Sequence, residues 1–305
     1  MRVAVLGGTG FAGRNVRDAL EGAGLTVGVF SRTTGCDLLD LHATWARLDE
    51  FRPDYIVNCA ALVGSINYVS DFAADVVDVN MRILMNTYKA ALQLREVVVI
   101  NPLANCAYPG VMDYYEEDGL WDGPIHPSVL SYGSTRRMMW VLSKCYRDQY
   151  GVRSVNLIVP NMYGPYDSIN PNKTHALNAL VIKFVKALSE GASEVEVWGT
   201  GRPIREWLYV GDFARLVLRV IEGEETSLEP VNLAQNKGYT VAELVDAIRN
   251  IVGYQGDVVY NTKYQDGSPK KVMDDRYFKQ RFPGFEFTPI EVGIRNTVAY
   301  YRRIL

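Results

Sequence analysis

The chain has 305 residues, with 32 Lys and Arg against 35 Asp and Glu and a formal net charge of −3. That balance leaves no basic field for nucleic acid, and no apolar run approaches membrane-spanning length, so neither a nucleic-acid nor a membrane role is expected. Cys36, Cys59, Cys106 and Cys145 are scattered without metal-ligand spacing, which argues against a metal site and a disulfide frame and for a reducing cytoplasm.

The first residues, M-R-V-A-V-L, read as a short buried strand, with no signal peptide ahead of it. G-G-T-G-F-A-G follows at once, and then an amphipathic run over residues 14–20. A strand, a glycine turn and a helix start form a phosphate cradle. Gly7 permits the tight turn, Gly10 lets backbone N–H groups approach a pyrophosphate, and Gly13 lets the helix pack close to the strand. The spacing is G-x-x-G-x-x-G, and its position on a strand-to-helix junction favours a dinucleotide site, with Thr9 and Phe11 among its contacts.

The next strand, residues 26–30, ends in V-F-S-R-T-T, where an NAD enzyme of this design places an acidic residue for the ribose 2′-hydroxyl. Ser31 and Arg32 instead favour a 2′-phosphate, hence NADP(H) over NAD(H); the alternative for Arg32 is a solvated loop charge. Further strands at 55–59, 97–100 and 154–159 alternate with helices at 72–94 and 133–150. This alternation predicts an α/β fold with a Rossmann-like, doubly wound parallel sheet. After Gly164-Pro165 the pattern turns irregular, which predicts a cofactor domain over 1–165, with a returning segment near 205–235, and a smaller C-terminal α/β substrate lobe over 166–305.

The segment S-Y-G-S-T-R-R from Ser131 has the form of a dehydrogenase's Tyr-x-x-x-Lys helix with the lysine replaced. Residues four apart share a helix face, so Arg136 lies beside Tyr132. A unit charge ~4 Å away at an effective dielectric of ~20 is worth about 4 kcal/mol, which predicts a depressed Tyr132 pKa. A guanidinium stays charged and cannot relay a proton as lysine does.

Several motifs recur in order: G-G-T-G-F-A-G at Gly7, C-D-L-L-D at Cys36, N-C-A-A at Asn58, N-C-A-Y-P at Asn105, E-E-D-G-L at Glu116, S-Y-G-S-T-R at Ser131, P-N-M-Y-G-P-Y-D at Pro160, W-G-T-G-R-P-I-R-E-W at Trp198 and D-G-S-P-K-K at Asp266. Over almost its whole length the chain thereby resembles the extended short-chain dehydrogenase/reductases that act on nucleotide sugars, and within them the GDP-L-fucose synthase branch. The resemblance implies an NADP(H)-dependent epimerase and/or 4-reductase for a nucleotide-diphosphate 4-keto-6-deoxy sugar, with GDP as the nucleotide and hexose or heptose left open. It also implies a homodimer formed through the helices at 72–94 and 133–150, where Met138, Trp140 and Val141 are compatible with a contact or with core packing.

Residue by residue, the resemblance puts Asp37 and Leu38 by the adenine, Ala60 and Ala61 by the nicotinamide half, and Asn80 at the helix asparagine; Asp37 could equally be a turn cap. Asn105, Asn161 and Trp198 fall near the nucleotide sugar, and Arg205 and Lys270 face the diphosphate; the alternative for Arg205 is a surface pair with Glu206. Cys106 and His175 match an acid–base pair, and Tyr132 with Arg136 the redox centre. Ala104 stands where the family has a serine or threonine, so one hydrogen bond to the substrate oxygen is lost unless Asn101 or Asn105 supplies it. Two alternatives stay open: an epimerase with little net redox, and a binding protein that has lost catalysis.

Overall fold

Strand β1 (Arg2–Leu6) is apolar on both faces, a pattern that only a sheet covered by helices on both sides can bury. Val3 and Val5 enter one core cluster while Ala4 and Leu6 enter another, because successive strand side chains point opposite ways. The computed structural model describes residues 1–94, 96–223, 229–264 and 266–305. After β1 come α1 (Phe11–Gly22), β2 (Thr26–Phe30), α2 (Leu41–Phe51), β3 (Tyr55–Asn58), α3 (Ile66–Asp71), α4 (Ala73–Leu94), β4 (Val98–Ala104), α5 (Leu130–Tyr150) and β5 (Arg153–Val159). The second half runs through β6 (Asn161–Tyr163), α6 (Ala176–Glu190), β7 (Glu194–Trp198), β8 (Ile204–Arg205), β9 (Trp207–Tyr209), α7 (Val210–Glu222) and β10 (Val231–Asn232). It ends with β11 (Tyr239–Thr240), α8 (Val241–Val252), β12 (Asp257–Asn261), β13 (Lys270–Lys271), α9 (Arg276–Arg281) and α10 (Ile290–Ile304).

The main sheet has six strands in the order β10-β5-β4-β3-β1-β2, and every pair is parallel. The chain steps from β1 to β2 on one side and then returns to β3 on the other. That reversal opens a crevice at the carboxyl ends of β1 and β3, the place where open α/β sheets take ligands. Strand β10 brings a segment from beyond residue 230 back into this sheet, beside β5. A third core cluster, built by α6, α8, α10 and β7, lies in the second half of the chain, where β8 is flanked by β11 and β13. Among the described residues no helix is long and apolar enough to cross a membrane.

Two elements differ from the sequence expectation in ways that matter for the site. Strand β4 runs on to Ala104 instead of stopping at residue 100, because Asn101 is absorbed into the interior: its Nδ2 donates to the Tyr88 hydroxyl at 2.7 Å and to Asn156 Oδ1 at 3.1 Å. Helix α5 starts at Leu130, after a short 3-10 turn at Pro127–Val129, so Tyr132 lies within its first turn.

Candidate functional site

At the carboxyl end of β1 the chain turns through Gly7 at φ +71°. A Cβ at Gly7 would stand 2.8 Å from the Ala60 backbone, and one at Gly13 would collide with the Gly7 carbonyl and reach 2.7 Å from Gly8 Cα. The loop therefore packs against the end of β3 with no side chain in the way, and α1 seats directly on it. Gly10 N donates to Gly7 O at 2.9 Å and caps α1, with Thr9 and Phe11 on either side. Ala60 is buried and Ala61 half-buried along the same rim. A glycine cradle at a helix N-terminus fits a pyrophosphate.

At the end of β2 the hydroxyls form a cluster. Ser31 Oγ lies 2.9 Å from Thr33 Oγ1 and 3.2 Å from Thr34 Oγ1, and Thr33 reaches Thr9 Oγ1 at 3.4 Å. Arg32 is exposed beside them. Asp37 is exposed too and its Oδ1 accepts from Leu39 N at 3.1 Å, a turn-capping bond. Leu38 is buried, its carbonyl taking a bond from Asn86 Nδ2 at 3.0 Å.

Asn80 on α4 organises the next layer. Its Oδ1 accepts from Leu62 N at 3.1 Å and from Arg136 Nη2 at 3.0 Å, while its Nδ2 donates to Leu62 O at 2.9 Å and Val76 O at 2.7 Å. One carboxamide thus joins the loop after β3 to the helix carrying the tyrosine. The Arg136 guanidinium carbon lies 4.6 Å from the centre of the Tyr132 ring. Arg136 is buried, and its Nε has no hydrogen-bond partner among the described residues.

The expected depression of the Tyr132 pKa is not found. Burial pushes the phenol above its usual range and outweighs Arg136, which pulls it down. The helix spacing placed the charge correctly, but the desolvation imposed by neighbouring chain segments is the larger effect.

Ala104 closes β4 without a hydroxyl, and Asn101 cannot supply the missing donor, because its Nδ2 is spent on Tyr88 and Asn156. Asn105 is buried, and its Nδ2 lacks a partner among the described residues. Cys106 lies in the 3-10 turn Asn105–Ala107. Gly133 allows α5 to approach this turn, since a Cβ there would be 2.5 Å from the Cys106 carbonyl. Burial raises the Cys106 thiol pKa, with Lys271 and then Arg136 opposing it.

His175 stands at the start of α6. Its backbone N and ring Nδ1 both meet Asp167 Oδ2, at 2.9 and 3.1 Å, and its ring packs against Phe11 with centroids 5.1 Å apart. The buried Asp167 also accepts from Asn178 Nδ2 at 2.8 Å. Burial raises its pKa, but the bonds from His175 and Asn178 prevail and hold the carboxyl below its usual range. A histidine whose Nδ1 faces a carboxylate offers Nε2 outward. Sequence reasoning missed Asp167; its signal was the aspartate closing P-Y-D, eight residues before His175.

The cations of the second half lie on β8 and β13. Lys270 is exposed, whereas Lys271 is half-buried and donates from Nζ to Asn105 O at 3.3 Å. The register pairs Lys271 with Arg205 and Lys270 with Ile204, and side chains alternate faces along a strand. Arg205 is held by Ile204 O at 2.9 Å and Asp266 O at 3.3 Å, not by Glu206. Glu206 points into the interior and accepts from Met273 N at 2.8 Å and Gln235 N at 2.5 Å. Asn161 donates to Glu206 O at 3.1 Å. Trp198 lies farther out, 49% exposed, stacked on Tyr264 at 4.3 Å.

A parallel sheet with a glycine cradle at its switch point, and a tyrosine–cation pair on the helix before β5, defines a dinucleotide-binding enzyme of the short-chain dehydrogenase type. The chain belongs to the NAD dependent epimerase/dehydratase family, whose profile matches residues 3–234. It is 31% identical over 305 residues to a probable GDP-L-fucose synthase 1 of Oryza sativa subsp. japonica, covering 98% of this chain and 92% of that protein. It is 29% identical over 309 residues to the GDP-L-fucose synthase of Escherichia coli strain K12, covering 98% and 96%. A GDP-L-fucose synthetase from Naegleria fowleri bound to NADP superposes with a TM-score of 0.89 at 26% identity, covering 99% of this chain and 94% of that one.

Proposed function

We propose that this protein is an NADP(H)-dependent epimerase and 4-reductase for a nucleotide-diphosphate 4-keto-6-deoxy sugar, with GDP as the nucleotide and an altered redox centre. The observation that carries the reading is the junction of α5 with the turn after β4, where Gly133 seats the helix against Cys106 so that thiol, phenol and Arg136 share one end of the sheet. The names of the relatives, and the NADP bound to the Naegleria protein, support the substrate class and the cofactor.

Gly7, Thr9, Gly10, Phe11 and Gly13 would cradle the cofactor pyrophosphate, Ser31 and Arg32 the 2′-phosphate, and Asp37 and Leu38 the adenine. Ala60, Ala61, Asn80 and Arg136 complete the nicotinamide side. When bound, NADPH supplies hydride. The protein's own part in reduction is to deliver a proton from Tyr132 to the substrate oxygen, without the hydroxyl that Ala104 lacks, an absence worth about 10²–10³ in rate. For epimerisation Cys106 and His175 serve as acid and base on opposite faces of the carbon beside the ketone. Arg205 holds the diphosphate, and Asn105, Asn161 and Trp198 contact the nucleotide sugar.

Residues 1–165 with the returning strand form the cofactor domain, and 166–305 the substrate lobe. The exposed α4–α5 face, with Val77, Met85, Leu130 and Met138, suits a second copy of the chain, whereas Trp140 packs against Trp121 at 5.7 Å between ring centres. A cytoplasmic location fits this chemistry.

The test is to mix the purified protein with NADPH and a GDP-4-keto-6-deoxy sugar, and to follow absorbance at 340 nm together with solvent-deuterium uptake. Both signals are expected. Deuterium uptake without NADPH oxidation establishes an epimerase with little redox, the outcome Ala104 favours as second reading. Neither signal, with saturating NADPH bound, overturns the proposal.

A further inference from the structure

Residues 167–175 form a closed loop that touches both banks of the crevice at the ends of β1 and β3. Asp167 ties the two ends of the loop together: its Oδ1 accepts from Ser168 N at 2.8 Å, and its Oδ2 from His175 N at 2.9 Å. Inside the loop, Asn170 Oδ1 accepts from Asn172 N at 3.0 Å and Asn170 O from Lys173 N at 2.9 Å, while the buried Thr174 hydroxyl lies 2.7 Å from Ser168 O. A loop with joined ends and its own internal bonds behaves as one body. Its base stands on the bank of the glycine cradle, where the His175 ring packs on Phe11 with centroids 5.1 Å apart and Asn15 Nδ2 donates to Pro165 O at 3.0 Å. Its exposed tip stands on the other bank, on the segment that leaves β3 through Ala60 and Ala61. There Ser65 N donates to Asn172 O at 2.9 Å, the one hydrogen bond between tip and bank among the described residues. Gly64 leaves room for that carbonyl, since a Cβ would stand 2.6 Å from it.

We propose that residues 167–175 are a lid on the cofactor crevice, latched by the bond from Ser65 N to Asn172 O, and that this latch must part for NADPH to enter or leave. The proposal rests on the reading of the crevice as the NADPH site. A dinucleotide running from the cradle to the rim at Ala60 and Ala61 has one footing of the lid on either side of it. Several contacts hold the base and a single bond holds the tip, so the tip parts first.

The hinge is the turn that leads into the lid, where Gly164 sits at φ +142° and Tyr166 at φ +73°. A bulky residue in the left-handed region is strained, and a few residues at the end of an element are enough to absorb the rotation of a lid. The latch is made by backbone atoms of the protein alone. It therefore holds in free and loaded protein alike, and it limits entry and release to the same degree.

Ser65 has φ −57°, a value proline adopts without strain, so Ser65→Pro deletes the N–H donor of the latch and keeps the backbone angle. It also deletes the Oγ that accepts from Tyr68 N at 3.2 Å and caps α3; Ser65→Ala deletes that cap alone and is the control. Gly64→Ala parts the same contact through its Cβ, and carries the comparison if the proline variant does not fold. Stopped-flow mixing with NADPH gives the association rate, and mixing the loaded full-length protein with excess NADP⁺ gives the release rate, both read by NADPH fluorescence. Ser65→Pro and Gly64→Ala are expected to raise both rates about tenfold, the size of one net hydrogen bond, with Kd within about twofold of wild type. Ser65→Ala should keep both rates. Faster release with unchanged association, and hence a weaker Kd, would make the contact part of the binding site and overturn the lid. Acceleration as large in Ser65→Ala as in Ser65→Pro would assign the effect to the cap of α3 and overturn the latch. Unchanged rates in a protein that binds NADPH overturn the lid alone, whereas a wild type that binds no NADPH overturns the cofactor reading and the lid with it.

Discussion

Arg136 stacks over the face of Tyr132, 4.6 Å from the ring centre, and Asn80 holds it there through a 3.0 Å bond. A cation over a ring stabilises the stack but does not make the phenol acidic in this setting, because burial prevails and the Tyr132 pKa is raised. In the proposed redox centre Tyr132 therefore keeps its proton, and Ala104 offers no hydroxyl beside it.

Restoring the family pattern with Ala104→Ser and Arg136→Lys should raise 4-keto reduction by about 10² in kcat with little change in KM. Adding Tyr132→Phe should erase the gain. Because the phenol titrates above its usual value of about 10, wild-type reduction should show no decline attributable to Tyr132 between pH 7 and 9. NADPH oxidation at 340 nm reads all three; a restored pair that slows a fast native reductase would assign Ala104 and Arg136 to a different catalytic arrangement.

The proposed function gives Arg32 the choice of cofactor. Arg32→Ala should weaken NADPH binding about tenfold or more, the size of one charge-assisted hydrogen bond, and leave NADH binding unchanged. Fluorescence titration with both cofactors decides it, and equal losses would return Arg32 to the role of a solvated loop charge.

The proposed acid–base pair is tested separately from redox. Cys106→Ser and His175→Asn should each cut solvent-deuterium exchange into the keto-sugar by at least about 10² while sparing NADPH affinity. Asp167→Asn should reduce exchange as well, since it weakens the bond orienting the His175 ring. Full exchange in both the cysteine and histidine variants would make them structural residues.

Glu206 predicts a pH dependence of stability. Burial raises its carboxyl from 4.5 to about 7. Between those values the folded protein holds a proton that the unfolded chain has released, so stability is greatest at the acid end and falls as pH rises to about 7, by on the order of 3 kcal/mol. Urea midpoints from pH 5 to pH 8 should show this slope in the wild type and a flatter one in Glu206→Gln. An identical slope in both proteins would locate the titration elsewhere.

What the sequence determined by itself was whatever depends on neighbours along the chain. The glycine cradle was legible because turn geometry and helix start are local, and the structure shows Gly7 and Gly13 at positions that admit no side chain. The alternation of strands and helices was enough for the parallel sheet, and helix spacing was enough to put Arg136 on Tyr132. Tertiary structure decided the rest. A two-residue strand carries no visible register, so only its pairing with β8 set Lys271 opposite Arg205 and Lys270 opposite Ile204. Asp167 and His175 meet through a loop with no regular period. The competition between charge and desolvation at Tyr132 depends on how deeply segments distant in sequence bury the ring, and a pattern of spacings along one helix does not contain that depth.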